Sequence, residues 1–169
     1  INHTSGTTGF SKGVMIPYRA MLNNFAFAKH VLGDKVSPCD KIISILHMAH
    51  MYGMAFEFIF EFLTGCHVFY LTRVPSPAII AQAFADVKPR IVIAVPLVIE
   101  KILRKKVFPV VQTSKMQLLL KMPVISKKVL ERIRENVYQA FGGKAYEIIV
   151  GGAALNQEVE TFLKRIGFP

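Results

Sequence analysis

The chain has 169 residues, 52% of them hydrophobic, with 21 Lys and Arg against 11 Asp and Glu for a formal net charge of +10. That length sustains one domain with a real core, and no apolar run approaches the roughly 18 uninterrupted residues of a membrane-spanning helix. Cys39 and Cys66 are too few for a disulfide framework and lack metal-ligand spacing, so they read as reduced, intracellular thiols.

The positive charge suits nucleotide phosphates, phosphorylated cofactors or anionic lipid. Its densest clusters, Arg104-Lys105-Lys106 and Lys127-Lys128, lack the aromatic interleaving of a nucleic-acid platform, so no nucleic-acid partner is expected. A solvated face, or a surface paired with an acidic partner, explains the same residues.

In chain order the first feature is Thr4-Ser5-Gly6-Thr7-Thr8-Gly9-Phe10-Ser11-Lys12-Gly13, in which only Phe10 is apolar. Glycines bring backbone N–H groups close to a ligand, and successive N–H groups form a concave anion site to which hydroxyls add donors. Lys12 supplies a compact mobile cation suited to phosphate. The spacing is not that of the common P-loop, because Lys12 is followed by Gly13 rather than by Ser or Thr. A phosphate cradle and a flexible polar surface loop remain the two readings of these residues alone.

Tyr18 to Val31 reads as a helix with Ala20, Met21, Phe25, Ala28 and Val31 on its buried side. Gly33-Asp34 and Ser37-Pro38 break the chain before Lys41 to Leu46, a β-branched run expected as a buried strand. It runs into Leu46-His47-Met48-Ala49-His50-Met51-Tyr52-Gly53, where residues past a strand's carboxyl end meet ligands in an α/β sheet. His47 and His50 have metal-compatible spacing but no third ligand in view, and a structural histidine is the plainer reading. Met54 to Leu63 reads as a largely buried helix, with Phe56, Phe58, Phe60 and Phe62 around it and Glu57 and Glu61 on one stripe.

Past Gly65-Cys66, His67 to Leu71 and Arg90 to Val95 read as strands, and Ala78 to Val87 and Leu97 to Lys106 as helices. Val107 to Val124 is less regular, with Lys115 to Met122 as one short helix; this apolar and basic stretch either packs on protein or touches a membrane surface. Ser126 to Phe141 is a helix stopped by Gly142-Gly143. Tyr146 to Val150 is the last strand, leading into Gly151-Gly152-Ala153-Ala154-Leu155, and Asn156 caps a final helix, Gln157 to Arg165. Strands alternating with helices predict an α/β fold: a mostly parallel sheet of about five strands, helices on both faces, one unit over 1–169.

The loop closely resembles the Ser-Gly-Thr-Thr-Gly-x-Pro-Lys-Gly signature of the adenylate-forming, AMP-binding superfamily, with Ser11 in place of proline. The segment after the first strand resembles the Leu-Pro-Leu-x-His-x-aromatic motif of long-chain acyl-CoA synthetases. His50 and Tyr52 match it, His47 replaces its proline, and Gly53 stands where many long-chain members have Glu. Gly151 to Leu155 resembles a Gly-Gly-Ala-Pro-Leu segment, with Ala154 replacing proline, and Val95-Pro96 resembles the superfamily's strand–proline–helix junction.

This resemblance implies a long-chain fatty acid–CoA ligase that makes an acyl-adenylate from fatty acid and ATP and transfers the acyl group to CoA, with Mg²⁺ assisting. It implies that Ser5, Gly6, Thr7, Thr8, Gly9 and Lys12 hold the β- and γ-phosphates, Lys12 and Thr8 serving catalysis, with Thr4 near Mg²⁺. Gly151, Gly152, Ala153 and Ala154 would line the adenine, and His50, Tyr52 and Gly53 the acyl substrate. The family continues to a Tyr-Gly-x-Thr-Glu motif, a ribose-binding Asp and a C-terminal domain with a catalytic Lys. The chain is therefore expected to be a fragment of a larger AMP-binding domain, cytoplasmic or membrane-peripheral, inactive without the remainder of the parent enzyme. Two alternatives stay open: another adenylate-forming enzyme (a peptide-synthetase adenylation domain or aryl-acid ligase), and a basic, membrane-peripheral binding module without enzymatic activity.

Overall fold

A computed structural model describes residues 1–4, 10–32, 35–120 and 122–168. Ser5 to Gly9, the centre of the predicted phosphate loop, and the predicted Gly33-Asp34 break lie outside the described residues.

Four short runs rich in β-branched and aromatic residues build one parallel sheet. The strands are β3 (Lys41–Ser44), β4 (His67–Tyr70), β5 (Ile91–Ala94) and β6 (Glu147–Val150), in the spatial order β4-β3-β5-β6. All three pairings are parallel; β5 and β6 run in register from Ile91↔Glu147 to Ala94↔Val150. Side chains alternate across a strand, so Ile43, Ile45, Val92 and Ala94 enter one core while Ile42, Ile91 and Ile93 enter another.

Helices cover both faces, as the alternating pattern requires. On the larger-core side lie α4 (Pro77–Val87), α5 (Pro96–Lys106), α6 (Phe108–Val111), α7 (Ser114–Leu120), α8 (Pro123–Ala140) and α9 (Gln157–Ile166). Phe84, Phe141 and Phe168 form a chain of ring contacts there at 5.6 and 5.7 Å. On the other side α1 (Tyr18–Leu32) buries Ala28 and Leu32 against Phe60, which belongs to a helical stretch after β3. That stretch comprises α2 (Met51–Gly53), a π-helical segment (Met54–Ile59) and α3 (Phe60–Thr64). Among the described residues no helix is long and apolar enough to cross a membrane.

Four details depart from the pattern read in the sequence. Leu32, 4% exposed, takes the inward place expected of Val31, which is 54% exposed. Helix α8 starts at Pro123 rather than Ser126, since proline at the first helical position has its φ already set. The aromatic stretch is not uniformly buried: Phe60 is, while Phe62 stands 74% exposed. Finally, β1 (Asn2–Thr4) and β2 (Lys12–Val14) form an antiparallel hairpin, pairing Thr4 with Lys12, that three-residue strands are too short to announce.

Asn156 caps α9 as its residue type predicts, its Oδ1 accepting from the N–H groups of Glu158 at 3.0 Å and Val159 at 3.4 Å. Asn156→Ala removes both bonds and is expected to lower the unfolding free energy by about 1 kcal/mol, read as an earlier urea midpoint at unchanged slope.

Candidate functional site

Parallel strands deliver their carboxyl ends to one edge of the sheet, where connecting loops meet. Here β3 delivers the turn His47 to His50, β5 delivers Val95, and β6 delivers Gly151 to Leu155.

The first and last of these meet through one side chain. The Tyr52 hydroxyl donates to the Ile149 carbonyl oxygen at 3.2 Å, bridging 97 residues of sequence. Its ring lies against the backbone of Gly151: a Cβ there would fall 2.7 Å from Cζ and 2.9 Å from Cε2. A side chain at 151 would force the Tyr52 ring or the β6 exit to shift, so the packing here favours glycine. The Gly151 N–H donates to the Ala94 carbonyl at 3.1 Å, which holds this junction on the sheet. Burial first, and the charge of Glu57 second, push the Tyr52 phenol up to about 12. It is therefore a neutral donor throughout the physiological range. Beyond Gly151, residues Gly152, Ala153 and Ala154 are exposed.

Gly53 is constrained in a similar way, since a Cβ there would lie 2.8 Å from the His47 carbonyl oxygen. It lets α2 begin tight against the end of β3. Within the turn the His47 ring accepts from the Ala49 N–H through Nδ1 at 3.3 Å, and the His50 ring stands edge-on to it at 6.4 Å. Both histidines are exposed. Among the described residues no group of three or more His, Cys, Asp or Glu is arranged to hold a metal ion.

The hairpin brings the start of the predicted phosphate loop to the same edge. Asn2, His3 and Thr4 line a cavity of about 360 Å³ together with Val14, His50 and Met51. Ser11 Oγ donates to the Thr4 carbonyl at 2.9 Å, and the pairing sets exposed Lys12 opposite exposed Thr4. Thr4, His50, Tyr52 and Gly151 thus share one edge, with Lys12 on the hairpin above them. Ser5, Gly6, Thr7, Thr8 and Gly9 are not among the described residues.

Beside this cavity lies a second of about 530 Å³, lined mainly by apolar side chains including Met21, Met48, Met51, Met54, Phe58 and Ile59. Methionines fill and adapt to irregular apolar shapes. Its volume falls within the ~300–1,000 Å³ range of small-molecule sites.

The acids of the helical stretch after β3, Glu57 in the π-helical segment and Glu61 in α3, form the feature least expected from sequence. Glu57 and Glu61 are both 0% exposed. Glu57 Oε2 accepts from Ser44 Oγ at 2.9 Å and from the Leu46 N–H at 2.8 Å, and Oε1 accepts from the Ile45 N–H at 3.1 Å. Burial raises its pKa while those three donors oppose the rise. Glu61 has no such set: neither carboxyl oxygen has a hydrogen-bond partner. Burial pushes it up to about 8, the nearby Cys66 thiol favouring the charged form without meeting hydrogen-bond geometry. The available signal was an acid pair four residues apart inside an otherwise apolar helix, directly after a strand whose end leaves free N–H groups.

Comparison with known proteins gives a family and a fold. The family model described as AMP-binding enzyme matches residues 1–169. The chain is 29% identical over 187 residues to long chain acyl-CoA synthetase 5 of Arabidopsis thaliana, covering 97% of this chain and 27% of that protein. It is 25% identical over 185 residues to long-chain-fatty-acid–CoA ligase 4 of Saccharomyces cerevisiae, covering 100% and 26%. The chain therefore spans about a quarter of the length of these relatives. Among solved structures, the o-succinylbenzoate coenzyme A synthetase of Bacillus subtilis, in complex with AMP, superposes with a TM-score of 0.67 at 17% identity, covering 99% of this chain and 27% of that one. A red-emitting luciferase of Phrixothrix hirtus gives 0.65 at 19% identity, covering 99% and 26%.

Proposed function

The chain belongs to the AMP-binding enzyme family, and from that premise we propose that it is one α/β unit of a long-chain fatty acid–CoA ligase. The observation that carries the proposal is the Tyr52–Gly151 contact, which unites the histidine segment and the Gly-Gly segment at one end of the sheet. The names of the relatives support the long-chain reading, and the AMP in the Bacillus neighbour supports an adenylate site.

In the proposed reaction a fatty-acid carboxylate oxygen attacks the α-phosphorus of ATP. The bond to the bridging oxygen breaks and pyrophosphate leaves; CoA thiolate then attacks the acyl carbonyl and AMP departs. Charge accumulates on phosphate oxygens, so positioning and electrostatic stabilisation supply the catalysis. Lys12 offers its ammonium to the β- and γ-phosphates, with Ser5 to Gly9, Thr8 among them, as further donors. Gly151 to Ala154 offer a flat backbone ledge to the adenine, beside the neutral Tyr52 ring. The methionine-lined cavity takes the acyl chain, with His50 in the adjoining cavity and Gly53 packed beneath the turn that carries it. The exposed Thr4 hydroxyl fits Mg²⁺, which takes one or two protein oxygens together with substrate phosphates. There the ion would neutralise phosphate charge.

The test is a calorimetric titration of ATP·Mg into the chain and into Lys12→Ala. A lost charge-assisted contact is expected to weaken binding by ~10- to 100-fold. Equal affinities, with binding to anionic liposomes that nucleotide does not change, would favour a membrane-peripheral binding module instead.

A further inference from the structure

We propose that Glu57 is a positioning residue for the acyl-adenylate, clamping the end of β3 to the helix that carries Tyr52. The inference rests on the ligase reading and adds a residue to it.

The geometry begins with the donors. Where β3 ends at Ser44 the chain leaves the sheet, and the N–H groups of Ile45 and Leu46 lose their ladder partners. Buried N–H groups need acceptors, and Glu57 supplies them. Its carboxylate takes both N–H groups and the Ser44 hydroxyl, at 2.8 to 3.1 Å, with no solvent access. Three donors and no acceptor face it, so the site is built for a carboxylate rather than for any polar group of that size.

The helix geometry explains how the acid reaches the strand. Met54–Ile59 is π-helical, and the Phe60 N–H bonds to the Ala55 carbonyl, five residues back. An extra residue in one turn rotates the downstream face by about 100°. Glu57 follows Tyr52 by five residues, about one π turn, and its charge acts on the Tyr52 phenol. Tyr52 in turn contacts Phe56, with ring centroids 5.5 Å apart, and Gly151. One carboxylate therefore fixes both ends of the segment that contains His47, His50 and Tyr52. The stiffness of that segment sets how well the acyl carbonyl and the adenine are aligned, which is where ~1 Å of misplacement has large kinetic cost.

Glu57→Gln probes this at nearly constant size. A carboxamide has one acceptor oxygen, so either Ile45 or Leu46 then faces an NH₂ group and loses its partner. Two readouts are taken on the purified chain. The first is amide hydrogen exchange without ligand: Ile45 or Leu46 is expected to exchange at least ~10-fold faster, while Ile93 and Ile149 on neighbouring strands keep their protection. The second is the affinity for a non-hydrolysable palmitoyl-adenylate mimic, expected to fall ~10-fold or more while ATP·Mg affinity moves less than ~2-fold. Ser44→Ala removes the hydroxyl donor alone and is expected to shift both readouts the same way by less; it stands in should Glu57→Gln fail to fold. Unchanged protection at Ile45 and Leu46 overturns the clamp. Equal loss of both ligands overturns the positioning role. If the unaltered chain ignores the mimic, the ligase reading fails, and the exchange pattern still decides whether Glu57 holds the turn.

Discussion

Gly151→Ala is expected to lower stability by about 2–4 kcal/mol and affinity for the palmitoyl-adenylate mimic by ~100-fold. The added methyl would sit 2.7 Å from Tyr52 Cζ and 3.0 Å from its hydroxyl oxygen, well inside van der Waals contact. The ring must move or the β6 exit must shift. Overpacking of this kind costs about 1–3 kcal/mol, and losing the hydroxyl bond to Ile149 adds about 1. Urea denaturation reads the stability and calorimetry the affinity. The cause is separable: removing the ring in Tyr52→Ala makes room for the methyl. In that background Gly151→Ala should therefore cost well under 1 kcal/mol. A stability penalty that persists without the ring would locate the constraint in the backbone instead.

Glu61→Met is expected to stabilise the chain, with a gain that grows as pH rises. Burial holds the Glu61 carboxyl protonated up to about pH 8, against an ordinary value of 4.5; the Cys66 thiol opposes this, and the charges of Glu57 and Asp40 reinforce it. Between those two values the folded state holds a proton that the unfolded chain has released. Raising the pH therefore draws the equilibrium toward the unfolded state, by up to about 1.4 kcal/mol per unit. Below about 4.5 and above about 8 this contribution is flat. Met fills a similar volume without an orphaned carboxyl. The gain should be about 1 kcal/mol or less at pH 5 and about 3 kcal/mol or more at pH 9, from urea midpoints across that range. Parallel stability curves for the two proteins would show that Glu61 is not the titrating group.

The parallel frame was readable because its strands are short apolar runs, most clearly where β-branched residues are closed by proline or glycine, as in Ile91-Val92-Ile93 before Pro96 and Ile148-Ile149 before Gly151. Asn156 was readable for the same local reason, since a cap depends on one side chain and the next turn. The hairpin was not, because pairing of Asn2–Thr4 with Lys12–Val14 spans a loop and leaves no period to detect. Nor was the inward turn of Glu57 and Glu61, which a 3.6-residue wheel places on an ordinary polar stripe, while in the structure π winding precedes Glu61 and the donors at the end of β3 hold Glu57 inside. Motif spacing nominated His50, Tyr52 and Gly151 separately. Their meeting at one edge is a tertiary fact, written in the register of β5 with β6 and in the missing side chain at 151.

The sheet also has an opposite, amino-terminal edge, and there a cavity of about 530 Å³ is lined by Lys41, Lys88, Arg90 and Lys144 beside Asp40 and Asp86. It offers a rival home for a phosphorylated ligand, which makes the location of nucleotide the sharpest question. Titrating AMP into the isotopically labelled chain and following its amide resonances answers it. The proposal predicts shifts centred on Gly151, Gly152, Ala153 and Ala154 and extending to Tyr52. Shifts confined to Lys41, Lys88, Arg90 and Lys144 would contradict it.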